Sequence, residues 1–176
     1  MSILHQCPPH LIRKALPDQA DEIYSLFGAC RAAMEEEDIF QWTNAYPNRT
    51  IIREDIVQGN VWCLQQDDRC LGTIQLGDKG EPEYNKINWL DTKGKVLFIH
   101  RLAVHPEQQK QGFARQLMDF AEEHARNEGY TSIRLDAYSG HNRVLRLYEQ
   151  RSFKRRGSVY FPGRSMPFYC YEKNMH

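Results

Sequence analysis

The stretch Val96-Leu97-Phe98-Ile99-His100-Arg101-Leu102-Ala103-Val104-His105-Pro106-Glu107-Gln108-Gln109-Lys110-Gln111-Gly112-Phe113-Ala114-Arg115 joins an apolar run to a glycine turn. Leu102, Ala103 and Val104 read as the end of a buried strand, and His105 to Gln108 as a polar loop. Beyond Gly112, the residues Phe113, Leu117, Phe120, Ala121 and His124 recur at helical spacing, and Asn127 with Gly129 supplies a stop. Gly112 therefore sits where a strand hands over to the first turn of a helix.

The first turn of a helix carries backbone N–H groups with no intrahelical partner, and the helix dipole adds partial positive charge there. Such a turn binds anions. A glycine lets a phosphate approach the main chain, and the small Ala114 keeps the approach clear. Lys110 and Arg115 flank the turn with full positive charges. A tight connection whose glycine serves geometry alone would have the same local pattern, so the rest of the chain decides between the two.

Composition narrows the field. The 176 residues fit one domain spanning 1–176, with 1–10 as a leader. With 41% hydrophobic and 26% charged residues, the chain reads as an ordinary globular protein and not a disordered one. Lys plus Arg (23) equals Asp plus Glu (23), so global charge does not favour a nucleic-acid partner. No apolar run has the length of a membrane span, and Met1 to His10 lacks the layout of a signal peptide, so a cytoplasmic location is expected. Cys7, Cys30, Cys63, Cys70 and Cys170 are odd in number and scattered; reduced, mostly buried thiols are expected, with no metal site.

Along the chain, Leu11 to Leu16 reads as a first strand ended by Pro17, and Asp18 as the N-cap of a helix striped by Ile23, Leu26, Phe27, Cys30 and Met34. That helix ends on Glu35-Glu36-Glu37-Asp38, where the dipole prefers positive charge. A solvated surface is the ordinary account of such a run; attraction of a cationic substrate is the sharper one. Phe40, Trp42 and Tyr46 then form an aromatic loop, either a packed connection or the wall of a pocket. Thr50 reads as the cap of a short helix through Val57, and Val61 to Leu64 with Cys70 to Leu76 as a hairpin.

The connection Gly77 to Lys95, with Tyr84 and Trp89, is long enough to cover a site, or it is a decorated hairpin. Ile133 and Leu135 alternate with Arg134 and Asp136 in a strand, and His141 to Arg151 forms a second helix with Val144, Leu147 and Tyr148 on one side. The aromatic tail after Phe153 reads as two antiparallel strands. The order describes a mixed sheet flanked by helices.

Gln109, Gly112 and Ala114, in the pattern Q/R-x-x-G-x-G/A at a strand-loop-helix junction, resemble the GNAT superfamily of acyl-CoA-dependent N-acetyltransferases. The preceding Leu102-Ala103-Val104-His105-Pro106 is similar to that family's strand end. A second family block, Asn followed by Tyr and a Gly-Phe pair, is matched by His141, Tyr148 and Ser152-Phe153. His141 stands where Asn is common, with Asn142 displaced by one, and Ser152 stands where Gly is usual. The match is close from Val96 to Arg156. The resemblance implies an α/β (α+β) GNAT fold, with a mixed, mostly antiparallel sheet of about seven strands flanked by about four helices.

It also implies acetyl-CoA as cofactor. The pantetheine arm would lie along Leu102, Ala103 and Val104, and the pyrophosphate on the turn formed by Gln109, Lys110, Gln111, Gly112, Phe113, Ala114 and Arg115. His141 or Asn142 would add a side-chain contact. A strand N–H, that of Leu102, would polarise the thioester carbonyl. Tyr148 corresponds to the family's general acid, although its helical stripe alone marks it as a core aromatic.

An acceptor amine is mostly protonated near neutrality, so a base is required. Asp136 is the first candidate and His100 the alternative; bracing a loop and packing in the sheet are their ordinary roles. The reading is acetyl transfer to a primary amine, a small molecule in preference to a protein or peptide, by direct attack in a ternary complex and not through Cys170 or Cys63. A non-catalytic acyl-CoA sensor is the competing class. Trp42, Tyr46, Tyr84 and Trp89 are expected to wall the acceptor pocket. No nucleic-acid or membrane partner is expected, and a homodimer is compatible with the sequence.

Overall fold

Asp67 and Asp68, both at positive φ (48° and 60°), make the two-residue turn that suits the twist of an antiparallel hairpin. The hairpin pairs β2 (Val61–Gln66) with β3 (Arg69–Gly77) in a computed structural model that describes residues 10–176. The remaining elements are β1 (Leu11–Lys14), α1 (Ala20–Glu35), α2 (Arg49–Val57), β4 (Val96–Val104), α3 (Phe113–Asn127), β5 (Ser132–Tyr138), α4 (Asn142–Gln150), β6 (Lys154–Val159) and β7 (Phe168–Asn174). One seven-stranded sheet runs β1-β2-β3-β4-β5-β7-β6. Of its pairings among the described residues only β4 with β5 is parallel, so the expected mixed, mostly antiparallel GNAT-type α/β sheet with four helices is what these residues form.

Strand alternation gives the sheet two apolar faces. Ile23, Leu26 and Phe27 of α1 and Ile52 and Ile56 of α2 share a core with Cys63, Phe98 and Ala103. Leu117, Met118, Ala121 and Ala125 of α3 share the other with Ile74, Leu97, Ile99, Ile133 and Leu135. Each helix buries one stripe, as its spacing requires. Cys30, Cys63, Cys70 and Cys170 are free and buried; Cys7 and the rest of the leader before His10 lie outside the described residues.

Three boundaries differ from those expected. β1 stops at Lys14, and Pro17 opens a short 3-10 turn (Pro17–Gln19), so Asp18 lies inside the first turn and caps nothing. The cap of α2 is Asn48, whose side chain accepts from the Ile51 N–H at 3.0 Å, and Thr50 is already helical. Ser152 keeps the left-handed conformation (φ 66°) of a position where glycine is the easy choice.

Two irregularities of β4 position the site. Its register with β3 runs from Gly72↔Val104 to Gln75↔Arg101 and then to Leu76↔Ile99, so His100 is the extra residue of a β-bulge. Its pairing with β5 ends at Ile99↔Leu135, while β5 continues against β7 to Tyr138↔Phe168. Beyond Ile99 the two central strands part.

Candidate active site

The parting of β4 from β5 leaves backbone groups without a strand partner. The His105 N–H bonds to the Leu71 carbonyl on β3 at 2.9 Å, which fixes the phase of the strand end. In an antiparallel ladder alternate residues face the same neighbour, so the N–H groups of Leu102 and Val104 face the opening. The Val104 carbonyl on that side accepts from Gln109 Nε2 (3.1 Å) and Cys30 Sγ (3.2 Å). Gln109 thus ties the loop to the strand end. Gly72, opposite Val104, brings the β3 backbone close: a Cβ there would stand 3.0 Å from the Ala103 carbonyl oxygen.

Gly112 is the N-cap of α3 in the left-handed conformation (φ 84°), without a side-chain cap. The helical ladder begins with the Gln116 N–H bonded to the Gly112 carbonyl. The N–H groups of Phe113, Ala114 and Arg115 consequently have no intrahelical partner. A Cβ on Gly112 would meet nothing within 4 Å, so the turn opens onto free space.

A cleft of about 600 Å³ joins these features. Leu102, Ala103, Val104, Gln109, Lys110, Gly112, Phe113, Ala114, Arg115 and His141 of the expected cofactor residues line it, as do His100, Asp136, Tyr148 and Trp42. Gln111 and Asn142 do not: Gln111 turns to Gln108 (3.3 Å), and Asn142 is exposed at the start of α4. Buried His141 faces the cleft instead, with an Nδ1 that has no partner among the described residues. Burial and the neighbouring Arg143 hold its imidazole below the usual value, hence neutral.

Asp136 and Tyr148 reach the cleft from opposite faces of the sheet. The Asp136 carboxyl is pushed up to about 6 by burial, against the Tyr84 hydroxyl bond and the charge of His100, which pull it down. Tyr148 is 4% exposed, and its hydroxyl has no hydrogen-bond partner among the described residues. Burial, and secondly the charge of Asp136, raise its phenol above the ordinary value, so it keeps its proton. His100 is differently placed: Nε2 meets the Lys79 carbonyl at 2.7 Å and Nδ1 meets Glu81 at 3.3 Å, so both ring nitrogens face protein acceptors.

The four aromatics expected to wall one pocket separate. Trp42 lines the cleft. Tyr46 lines a second, polar cavity of about 810 Å³ that reaches the first at His100. Tyr84 and Trp89 line neither, because Tyr84 is buried with its hydroxyl on Asp136, and Trp89 stacks under the Arg134 guanidinium at 4.4 Å. Of the acidic run, Glu37 lines the cleft but is taken by Arg143, which reaches both its oxygens at 3.0 Å. Cys30 and Met34 of α1 and Arg143, Arg146 and Leu147 of α4 also line the cleft and were not expected. The α4 residues lie within a turn or so of Tyr148, which is the signal that would have found them.

The sequence profile of the Acetyltransferase (GNAT) family matches residues 21–153, and the chain belongs to that family. Human N-acetyltransferase 8B is 25% identical over 100 residues, covering 57% of this chain; the match spans only 40% of the length of that relative. Among solved structures, a GNAT-family acetyltransferase of Streptococcus agalactiae superposes with a TM-score of 0.80 at 23% identity, covering 94% of this chain and 95% of the other. The protein yncA of Salmonella typhimurium, solved with its cofactor acetyl-CoA, superposes with a TM-score of 0.71 at 14% identity, covering 96% and 95%. Among the described residues, no helix is long and apolar enough to cross a membrane.

Proposed function

We propose that this chain is an N-acetyltransferase that moves an acetyl group from acetyl-CoA to the primary amine of a small molecule, by direct attack within a ternary complex. One observation carries the reading: the opening between β4 and β5 brings together in one cleft a strand N–H beyond the last β4–β5 pair, a protonated phenol and a carboxyl with a pKa raised to about 6.

The residues present fit the cofactor. The uncapped start of α3, with Lys110 and Arg115 beside it, would take the pyrophosphate, and the free edge of Leu102 to Val104 the pantetheine amides. His141 Nδ1, buried without a partner among the described residues, would add a polar contact from the cleft lining. Bound there, acetyl-CoA supplies the acetyl group as an activated thioester.

The chain's own groups divide the proton work. Asp136, mostly ionised at pH 7, accepts the proton that the amine must lose. Tyr148 holds a proton at Oη where a departing thiolate needs one. The Leu102 N–H stands ready for the carbonyl oxygen. His100, with both nitrogens engaged, is better suited to holding the β3–β4 connection than to taking a proton.

A covalent thiol route has little support. Cys63 and Cys170 are fully buried and line neither cavity, and burial pushes the Cys30 thiol up to about 12. Arg164 of the β6–β7 loop donates to the Phe40 carbonyl at 3.2 Å and so ties that loop to the α1–α2 loop, whose Gln41 and Trp42 line the cleft; a tied loop at this wall supports a small acceptor.

Thiol release from acetyl-CoA across amino acids, polyamines, aminoglycosides and peptides tests this. Turnover with one of the small amines is expected. Turnover confined to peptides would overturn the acceptor class, and no thermal shift at saturating CoA would overturn the enzyme reading.

A further inference from the structure

Tyr84 belongs to the long β3–β4 connection, whose role the reaction above leaves open. The connection is firmly held. Leu90 N–H donates to Glu172 at 2.7 Å, Arg134 donates to the Asp91 carbonyl, and Trp89 Nε1 donates to the Tyr84 carbonyl at 3.1 Å. The Tyr84 ring is 4% exposed, stacked on Phe98 (5.9 Å, 19°) and edge-on to Trp89 (5.7 Å). Its orientation is therefore fixed by packing, and the hydroxyl ends on Asp136 Oδ2, 52 residues further along the chain.

We propose that Tyr84 is a positioning residue that orients the Asp136 carboxylate and keeps it ionised at neutral pH. The inference rests on the reading of Asp136 as the base. The one hydrogen bond to the carboxylate among the described residues ends on Oδ2, so Oδ1, on a residue that lines the cleft, is the atom left to accept a proton. A hydrogen bond donated to a carboxylate stabilises its charged form, which burial would otherwise suppress.

The other groups around Asp136 do not replace this bond. His100 on β4 favours the carboxylate, but its ring is committed to Lys79 and Glu81. Glu81 and Glu83 of the connection oppose ionisation. Cys170 on β7, Tyr148 on α4 and Tyr46 in the α1–α2 loop are neutral neighbours, with their own pKa values raised partly by Asp136. Among the described residues, Tyr84 is the only hydrogen-bond donor to the carboxylate.

The test compares wild type, Tyr84→Phe and Asp136→Asn by the pH dependence of kcat/KM. It adds a carbon-13 carboxyl titration of Asp136 in the free protein, which does not depend on turnover. Tyr84→Phe keeps the ring, and a wild-type thermal shift with CoA certifies its fold. The acid limb and the carboxyl titration should both move upward in Tyr84→Phe, by about one to two pH units for the loss of one hydrogen bond to a charged group. Above the shifted limb kcat/KM should recover towards the wild-type value without reaching it, because the carboxylate ionises again but is no longer held in place. A limb that Asp136→Asn abolishes but Tyr84→Phe leaves in place overturns the role of Tyr84 and spares the base. A limb that persists in Asp136→Asn overturns the base itself, and the inference with it.

Discussion

Gln75 on β3 and Arg101 on β4 stand opposite each other and donate to the same carboxylate, that of Asp55 on α2. The register slips immediately beyond this pair, at His100. Arg101, 7% exposed, also donates to the Tyr46 hydroxyl at 2.8 Å. A helix on one face thereby pins the bulge, and the residue after Arg101 is Leu102, whose N–H faces the opening.

Removing Asp55 leaves a buried guanidinium without its charge partner. Asp55→Ala is expected to cost about 3 kcal/mol in denaturant unfolding, the scale for breaking a buried ion pair. It should also lower kcat by about 10- to 100-fold, because the Leu102 N–H loses its fixed position. Wild-type kcat in a folded Asp55→Ala protein would show that the bulge does not depend on this clamp.

Burial keeps the Tyr148 phenol protonated, and among the described residues its hydroxyl has no hydrogen bond to lose. Tyr148→Phe should lower kcat by about 10- to 1000-fold, with little change in CoA affinity by thermal shift. Its stability should stay near wild type, since the hydroxyl makes no hydrogen bond within the described residues.

The sequence was most legible where local chemistry and tertiary packing agree. Val96–Val104 and the helix starting at Phe113 were readable because an apolar strand, a loop and a helical stripe follow one another without ambiguity. The parting of β4 from β5 was not, since register depends on partners more than 30 residues away. For the same reason Tyr84 and Trp89 looked like pocket walls: composition reports an aromatic loop, while only packing against Phe98 and Arg134 turns those rings inward. The His141 and Asn142 pair shows the same limit at smaller scale. Adjacent residues at a helix start point differently, and the turn after Tyr138 decides which one meets the cleft.

At Gly112 the backbone, not crowding, sets the cost of substitution. Because a Cβ would meet no neighbour, Gly112→Ala should lose only about 1 to 2 kcal/mol from the left-handed conformation. KM for acetyl-CoA should rise several-fold as the methyl intrudes on the turn proposed for the pyrophosphate, measured under saturating amine.

The Glu37–Arg143 pair argues against the acidic run as an amine attractor. Both side chains are about half exposed (51% and 54%), and such pairs contribute little. Glu37→Gln is therefore expected to change the amine KM by no more than about twofold. A tenfold rise would restore a substrate role to that carboxylate.

Asp136 gives a stability signature independent of turnover. Its carboxyl rises from the ordinary 3.8 to about 6, so the folded protein holds the proton more tightly than the unfolded chain. Stability then falls as pH rises through that interval; the penalty is absent below about pH 4 and complete above about pH 7. Asp136→Asn removes the charge and keeps an acceptor for the Tyr84 hydroxyl. It should raise stability by about 1 to 3 kcal/mol at pH 8 and leave it unchanged at pH 4, while activity at pH 7 collapses. Urea unfolding at the two pH values reads the difference directly. An equal effect at both would mean that the Asp136 carboxyl titrates alike in the folded and unfolded chain, and that burial does not tune it for proton transfer.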